Sequence, residues 1–259
     1  NIENSKFDTK ISRVNSIRDS KSAILDGSKD YSYIYTWNRA DNLKNFGEGI
    51  VYKNYVAKNS NIFEKFKKAK NNFKPFFFCL WNKYSIKMAN SIYLKVNQLS
   101  KPEQKEDFLS TIFPFYGKEN YFNFFGKKGF IESQLLISEE KLDIFLDEFK
   151  FFFKEYEPTI TLFSLKNMSG KHKFLRFEDN KICLTFDYVN NKRNLLFMSK
   201  IDDLYNKYDI LPSIIKDSRI SKKTFDQIYK GEAVEFKKQL YNFDKNRSYQ
   251  SEISRRLEL

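Results

Sequence analysis

The sequence predicts an α+β protein in which an antiparallel β-sheet is flanked by helices and followed by a helical C-terminal tail. Hydrophobic residues make up 41% of the 259 residues and aromatic residues 18%, which is enough apolar material for a folded core. A strand–helix–strand pattern occurs twice, at residues 129–166 and 182–215, and further short strands precede it. This mixed order of strands and helices is typical of one sheet covered by helices.

The N-terminal half starts with a polar stretch, residues 1–29, which we interpret as a lead-in segment. Residues 31–37 alternate as in a half-buried strand, and residues 50–52 form the next apolar run. Residues 60–96 have a helical and aromatic pattern that Pro75 interrupts. Residues 97–108 are predicted to form a charged loop. The helical intervals in the second part of the 60–96 segment are marked by Tyr84, Met88, Ile92 and Leu94.

The C-terminal half continues the alternation of strands and helices. Strands are predicted at 129–137, 159–166, 174–177, 182–189 and 213–215, and helices at 139–156 and 192–208, before two or three short helices. Ser138 is the predicted N-cap of the first of these helices because acidic residues follow it directly. The apolar face predicted for that helix consists of Leu142, Phe145, Phe149, Phe152 and Phe153.

The chain is strongly basic, with a formal net charge of +13. Such a charge suits nucleic acid, a lipid surface or a phosphorylated substrate. The lysines are spread along the chain, however, which is also typical of an ordinary solvated surface. The aromatic residues follow core periodicity and form no stacking stripe among basic residues, which argues against nucleic acid.

The composition also limits the chemistry. Cys79 and Cys183 lie far apart without CxxC spacing, which disfavours a disulfide or a zinc site and suits a reducing cytoplasm. The only histidine, His172, excludes a multi-histidine metal site. No apolar run approaches the roughly 18 residues of a membrane helix, and no G-x-G-x-x-G or Walker pattern is present.

The end of the chain resembles one enzyme family. Residues 215–219 read Ile-Lys-Asp-Ser-Arg, and residues 251–259 read Ser-Glu-Ile-Ser-Arg-Arg-Leu-Glu-Leu. This ending resembles the C-terminus of flavin-dependent sugar oxidases of the vanillyl-alcohol-oxidase superfamily, and within it the decaprenylphosphoryl-β-D-ribose oxidase branch. Other segments resemble the same family in order and spacing, namely residues 31–37, 113–116, 125–134, 163–166 and 180–186.

The resemblance implies a division of the chain into three parts. Residues 1–29 would lead in from an N-terminal FAD-binding domain that is missing here, and residues 30–212 would form the substrate-binding domain. Residues 213–259 would pack on the FAD domain. Without that domain, we expect them to be the least packed part, or to be held by a second copy in a homo-oligomer.

The resemblance also implies a reaction, the oxidation of a hydroxyl of a sugar or (lipid-)phosphosugar by hydride transfer to FAD. Lys216 matches the family's lysine beside the flavin pyrimidine, where a cation stabilises the anionic reduced flavin, and Ile215 is its cofactor-contacting neighbour. Lys166 matches a second pocket lysine, suited to a substrate phosphate. The remaining expected substrate-binding residues are Tyr121, Glu132, Gln134 and Cys183.

The sequence departs from the family at several of these positions. Tyr121-Phe122 stands where the family has Trp-Asn, Glu132-Ser133-Gln134 where it has Gln-Tyr-Gln, Tyr116 where it has Asp, and Ser213 where it has Tyr. We therefore expect a rebuilt pocket and do not carry over the family's substrate. The lysines could also be ordinary surface residues, Gln134 a buried amide and Cys183 a small core residue.

Two functions from different classes follow. In the first, the chain is the substrate-binding and C-terminal part of a flavoenzyme, which alone binds FAD weakly or not at all and is inactive. In the second, it is a non-catalytic basic module for an anionic ligand, either nucleic acid or a membrane surface. We expect a cytoplasmic location, with peripheral contact at the inner face of the membrane as the variant for a lipid-linked substrate.

Overall fold

The computed structural model describes residues 6–26, 31–57, 74–116, 120–171 and 175–259. The strands in these ranges are β1 (Lys6–Val14), β2 (Tyr33–Asn38), β3 (Gly49–Val56), β4 (Glu103–Asp107), β5 (Phe130–Ile137), β6 (Ile160–Asn167), β7 (Ile182–Val189) and β8 (Leu211–Pro212). The helices are α1 (Ile17–Asp26), α2 (Lys83–Leu99), α3 (Phe108–Ile112), α4 (Asn120–Asn123), α5 (Glu139–Tyr156), α6 (Lys192–Asp202), α7 (Tyr205–Tyr208), α8 (Lys222–Phe243) and α9 (Glu252–Leu257).

The strands form a single sheet in the order β4-β1-β3-β2-β6-β7-β5-β8. The pairings of β3 with β1 and β2, of β1 with β4, and of β5 with β8 are all antiparallel. The α+β class is thereby confirmed. The chain forms two compact units, one from residues 1–130, 159–167 and 187–191, and the other from residues 131–158, 168–186 and 192–259.

In the first unit, part of the expected lead-in segment is folded. Residues 6–14 form β1, which lies between β4 and β3, and α1 follows with Ile17 and Ile24 buried. The prediction of a charged loop at 97–108 is wrong, because α2 continues to Leu99 and residues 103–107 form β4. Buried Thr36 links β2 to β6, since its hydroxyl oxygen accepts the Leu165 N–H at 2.8 Å.

The second unit is organised around the aromatic face of α5. Phe149 stacks on Phe186 of β7 at 5.0 Å between ring centroids and meets Phe197 of α6 edge-on at 5.1 Å. All eight residues of β7 are buried, as expected of a strand covered on both faces. On α5 the predicted face is correct except that Leu146 is buried and Phe152 is only half-buried.

Three smaller predictions for this half are wrong. Residues 214–216 form a turn, and the short strand lies earlier, at Leu211–Pro212. Residues 175–177 form no strand, while the preceding residues of that prediction and His172 lie outside the described residues. The single helix predicted at 192–208 is divided into α6 and α7.

The C-terminal tail, residues 213–259, is packed and not loose, contrary to our expectation. Phe225, Tyr229 and Leu257 are almost fully buried in a cluster that also contains Leu136 of β5 and Cys183 of β7. The Tyr229 hydroxyl donates to the Pro212 carbonyl oxygen at 2.6 Å. The tail is therefore part of the hydrophobic core of the second unit.

Candidate functional site

The candidate site of the second unit begins on one face of β5. Burial alternates along this strand, so that Ile131, Ser133 and Leu135 are buried while Glu132 and Gln134 are only partly so. Residues two apart in a strand point to the same side. The Gln134 amide accordingly donates from Nε2 to Oε1 of Glu132 at 2.8 Å.

A rigid turn presents Lys216 to this face. The Ser213 N–H donates to the Gln134 carbonyl oxygen at 2.8 Å, which continues the pairing of β8 with β5. The Asp217 N–H then donates to the Ser213 carbonyl oxygen at 3.0 Å and closes the turn. Lys216 thus lies at a fixed position beside β5.

The ammonium of Lys216 forms an ion pair with Glu132. Its Nζ is 3.2 Å from Oε2, while Oε1 of the same carboxylate is bound by Gln134. The Lys216 side chain is 47% exposed and the Glu132 side chain 19%. The cation can therefore reach a ligand, and the carboxylate is held in place by two donors.

A buried ionic network supports the turn from below. Asp217 is fully buried and accepts hydrogen bonds from Arg219 through the backbone N–H at 3.1 Å and through Nη2 at 2.9 Å. Arg219 also forms a two-point pair with Asp202 at the end of α6, at 2.5 and 2.9 Å. Burial raises the pKa of Asp217 to about 6, and the positive charge of Arg219 opposes that rise.

The other two predicted residues of this unit lie away from the ion pair. Cys183 is buried in the tail cluster, with its Sγ 3.8 Å from the Thr185 hydroxyl. Ile215 is largely exposed at the outside of the turn. The structure thus brings together Lys216, Glu132 and Gln134, whereas Cys183 lies in the core.

The remaining two predicted residues belong to the first unit. The Tyr121 hydroxyl is 2.6 Å from the Thr161 hydroxyl and donates to Oδ2 of buried Asp187 at 2.9 Å. The Tyr121 ring stacks on Phe115 at 4.3 Å. Lys166 lies near the end of β6 with its Nζ 6.0 Å from the centroid of the Tyr33 ring.

Sequence reasoning missed the part that Asp202 plays in supporting this site. It precedes Asp217 by 15 residues, and no local pattern links it to the Lys-Asp-Ser-Arg run. The run does contain an acid and an arginine, and a buried Asp–Arg pair leaves guanidinium N–H groups that a second acid can accept. That was the only signal in the sequence for the role of Asp202. Glu132 was identified, but its contact with Lys216 depends on strand pairing.

Metal sites, cavities and comparisons with known proteins give no further indication of function for the described residues. Among the described residues, no group of three or more His, Cys, Asp or Glu side chains is arranged to hold a metal ion. A cavity of about 190 Å³ in the first unit, bounded by β1, β3 and α2, contains none of the predicted site residues. No protein-family model matches the chain, and no curated protein is significantly similar to it.

The residues that are present fit one end of a flavin. A half-exposed ammonium on a fixed backbone suits the pyrimidine end, where negative charge collects on reduction. At the described glycines where an added Cβ would be crowded, the close atoms belong to the protein itself. At Gly49, for example, the Trp37 carbonyl oxygen would lie 2.0 Å from the Cβ. The space beside these glycines is therefore filled and does not form a phosphate cradle. The flavin phosphates would therefore need residues outside this group.

Proposed function

We propose that this chain forms the substrate-binding and C-terminal part of a flavin-dependent oxidoreductase that oxidises a hydroxyl of a sugar or phosphosugar. The observation that carries the proposal is the Lys216–Glu132–Gln134 group, in which the lysine of the Lys-Asp-Ser-Arg run lies beside two residues of the Glu-Ser-Gln segment. The two segments are far apart in sequence, and the family resemblance had assigned both to the same pocket.

Each of the three side chains has a chemical task in such a reaction. When bound, the flavin accepts the hydride from the carbinol carbon. The positive charge at the Lys216 Nζ would stabilise the negative charge that collects at the pyrimidine end of the flavin on reduction. Glu132 accepts the hydrogen bond of the substrate hydroxyl at its carboxylate and is the group on this face that can take up the proton. Gln134 orients that carboxylate.

The buried network of Asp217, Arg219 and Asp202 explains how the backbone of Lys216 keeps its position. A catalytic group must be held to within a fraction of an ångström, and the supporting residues must be rigid. Asp217 directly follows Lys216 in sequence, and Arg219 links it by hydrogen bonds to Asp202 at the end of α6. Lys216 can therefore move its side chain toward a ligand while its backbone stays fixed.

The experiment measures dichlorophenolindophenol reduction by the protein expressed with its native flanking sequence. Added FAD is supplied with a panel of pentoses, hexoses and their phosphates. We expect Lys216→Met to lower the rate about a hundredfold, the size of effect seen when one charge-stabilising group is removed. The matched control is Lys222→Met, which removes another part-exposed lysine that pairs with Asp226 on α8.

The Glu132→Gln variant separates two roles for the carboxylate. It restores the residue type that the resembled family has at this position. If Glu132 takes up the proton, the rate falls at all pH values, whereas a mere counter-ion of Lys216 would leave it nearly unchanged. Absence of dye reduction with every sugar of the panel, or equal rates for Lys216→Met and Lys222→Met, would contradict the proposal.

A further inference from the structure

Helix α2 carries an exposed apolar stripe. Tyr84, Met88, Ile92 and Val96 follow one another at intervals of four residues, and Leu99 extends the row. Their exposed fractions lie between 53% for Ile92 and 89% for Leu99. Five large apolar side chains on one side of a single helix form a contiguous patch of the kind that marks an interaction surface.

The stripe is fixed toward solvent by the opposite face of the helix. Ile86, Asn90 and Leu94 are buried, and Asn90 donates from Nδ2 to Oδ1 of Asp41 at 2.7 Å. The Asn82 side chain caps the helix start in a reciprocal box with Ser85. Rotation of α2 to bury the stripe would break these contacts, so within the described ranges the stripe stays exposed.

The charged residues of the chain segment that contains α2 are all basic. Residues 74–102 contain five lysines, three of them on α2, and no acidic residue. The chain average of 33 acidic residues in 259 would place three or four in a segment of that length. The lysines on α2, Lys83, Lys87 and Lys95, are all exposed. Apolar and basic character thus coincide on one element.

Exposed aromatic side chains lie just before the helix. Phe77 and Phe78 are more than half exposed, and the Nζ of Lys127 is 4.6 Å from the centroid of the Phe77 ring. Aromatic side chains close to basic ones are typical of the headgroup level of a bilayer.

From these observations we infer that α2 docks the protein on a lipid bilayer that contains anionic headgroups. The helix would lie in the plane of the interface, with its apolar stripe among the acyl chains and its lysines at the phosphates. A second copy of the chain is a poorer occupant, because it would bring lysines against lysines.

The mode of attachment is peripheral. In the described part of the chain no helix is long and apolar enough to cross a bilayer. Each lysine at an anionic surface contributes roughly a fivefold gain in binding. This surface is independent of the Lys216 group, so the inference does not depend on the flavin chemistry.

The experiment is flotation of the protein with vesicles of phosphatidylcholine alone and of phosphatidylcholine mixed with phosphatidylserine. We expect flotation with the mixed vesicles only, reduced at high salt, and quenching of tryptophan emission by brominated lipid. Met88→Ser/Ile92→Ser should lower binding at least tenfold. Its matched control, Ile144→Ser/Phe151→Ser, changes two equally exposed apolar residues on α5 and should bind normally.

The charge is tested in the same assay. Lys83→Gln/Lys87→Gln/Lys95→Gln should lower binding to the mixed vesicles by roughly a hundredfold, and the triple control Lys223→Gln/Lys238→Gln/Lys245→Gln, at exposed positions of the tail, should lower it much less. All changed side chains are exposed, so circular dichroism should show unaltered folding. The inference is overturned if mixed vesicles do not retain the protein, or if the Met88/Ile92 variant binds like its control. Retention on single-stranded oligonucleotide that needs the lysines but not Met88 and Ile92 would also overturn it.

Discussion

The buried carboxylate of Asp217 should make the stability of the protein depend on pH. Burial raises its pKa from the ordinary 3.8 to about 6. Asn has nearly the same shape and does not titrate, but its single side-chain oxygen can accept only one of the two hydrogen bonds that Arg219 donates to Asp217. Arg219 keeps its two-point pair with Asp202 in the Asp217→Asn variant. The substitution therefore removes one titration, and the lost hydrogen bond changes the stability by an amount that is the same at every pH.

The sign of the effect follows from the direction of the pKa shift. A carboxyl group whose pKa is higher in the folded state stabilises that state in its protonated form. Its contribution is fully present below pH 3.8 and is lost as the pH rises through about 6. A shift of about two units corresponds to about 3 kcal/mol, of which about 2 kcal/mol is lost between about pH 4.5 and about pH 7.5.

The assay compares urea unfolding of the wild type and Asp217→Asn across this pH range. The difference between their free energies of unfolding cancels the titration of all other groups. We expect the wild type to lose about 2 kcal/mol relative to the variant between about pH 4.5 and about pH 7.5. Asp226→Asn, which makes the same change at a more exposed acid of α8, is the matched control. A constant difference for Asp217→Asn would mean that Arg219 keeps the carboxylate ionised throughout, and the reasoning would be refuted.

Two further predictions concern packing. Phe225→Ala should lower the free energy of unfolding by about 3–5 kcal/mol, because the ring is fully buried in the tail cluster, whereas Phe243→Ala at an 83% exposed position should change it by less than about 0.5 kcal/mol; equal effects in urea unfolding would contradict a packed tail. Gly49→Ala should cost about 3 kcal/mol because its Cβ would lie 2.0 Å from the Trp37 carbonyl oxygen. Gly231→Ala, where no atom lies within 4 Å of the new Cβ, should stay within about 1 kcal/mol of the wild type in the same measurement.

Elements with a strong local pattern were predictable from the sequence. The helix α5 has acidic residues in its first turn and one apolar face, and its predicted and observed bounds agree at 139–156. The alternation in residues 182–189, with Ile182, Leu184 and Phe186 on one face, likewise predicted β7. In both cases the information lies within a single segment, so no knowledge of partners is needed.

Strands with polar sequences could not be predicted in this way. The β4 segment reads Glu-Gln-Lys-Glu-Asp and has the composition of a loop. It becomes a strand because it pairs with β1, with Lys10 opposite Glu103 and an ion pair of 3.3 Å between them. The partner lies more than 90 residues away, and such long-range pairing leaves no local signal.

The error on the tail has a different origin. The family resemblance assigned residues 213–259 to a partner outside the chain, whereas the pattern of the residues indicates a helix with one buried face. Phe225 and Tyr229 are four residues apart on α8, and Ala233 continues the row, which is the spacing of a helix that buries one face. That spacing predicts that the three side chains are buried together, and in the second unit they are buried in the tail cluster.

The helix α2 shows that periodicity alone does not identify which face of a helix is buried. Two rows of residues satisfy the helical period in the same segment, one through Tyr84, Met88 and Ile92 and the other through Ile86, Asn90 and Leu94. The first row is more apolar, yet the second row is the buried one, and its Asn90 donates a hydrogen bond to Asp41. A fold that buries an amide and leaves the more apolar row in solvent gives up hydrophobic stabilisation. The membrane contact that we propose for α2 would offset that loss, and the vesicle experiment tests it.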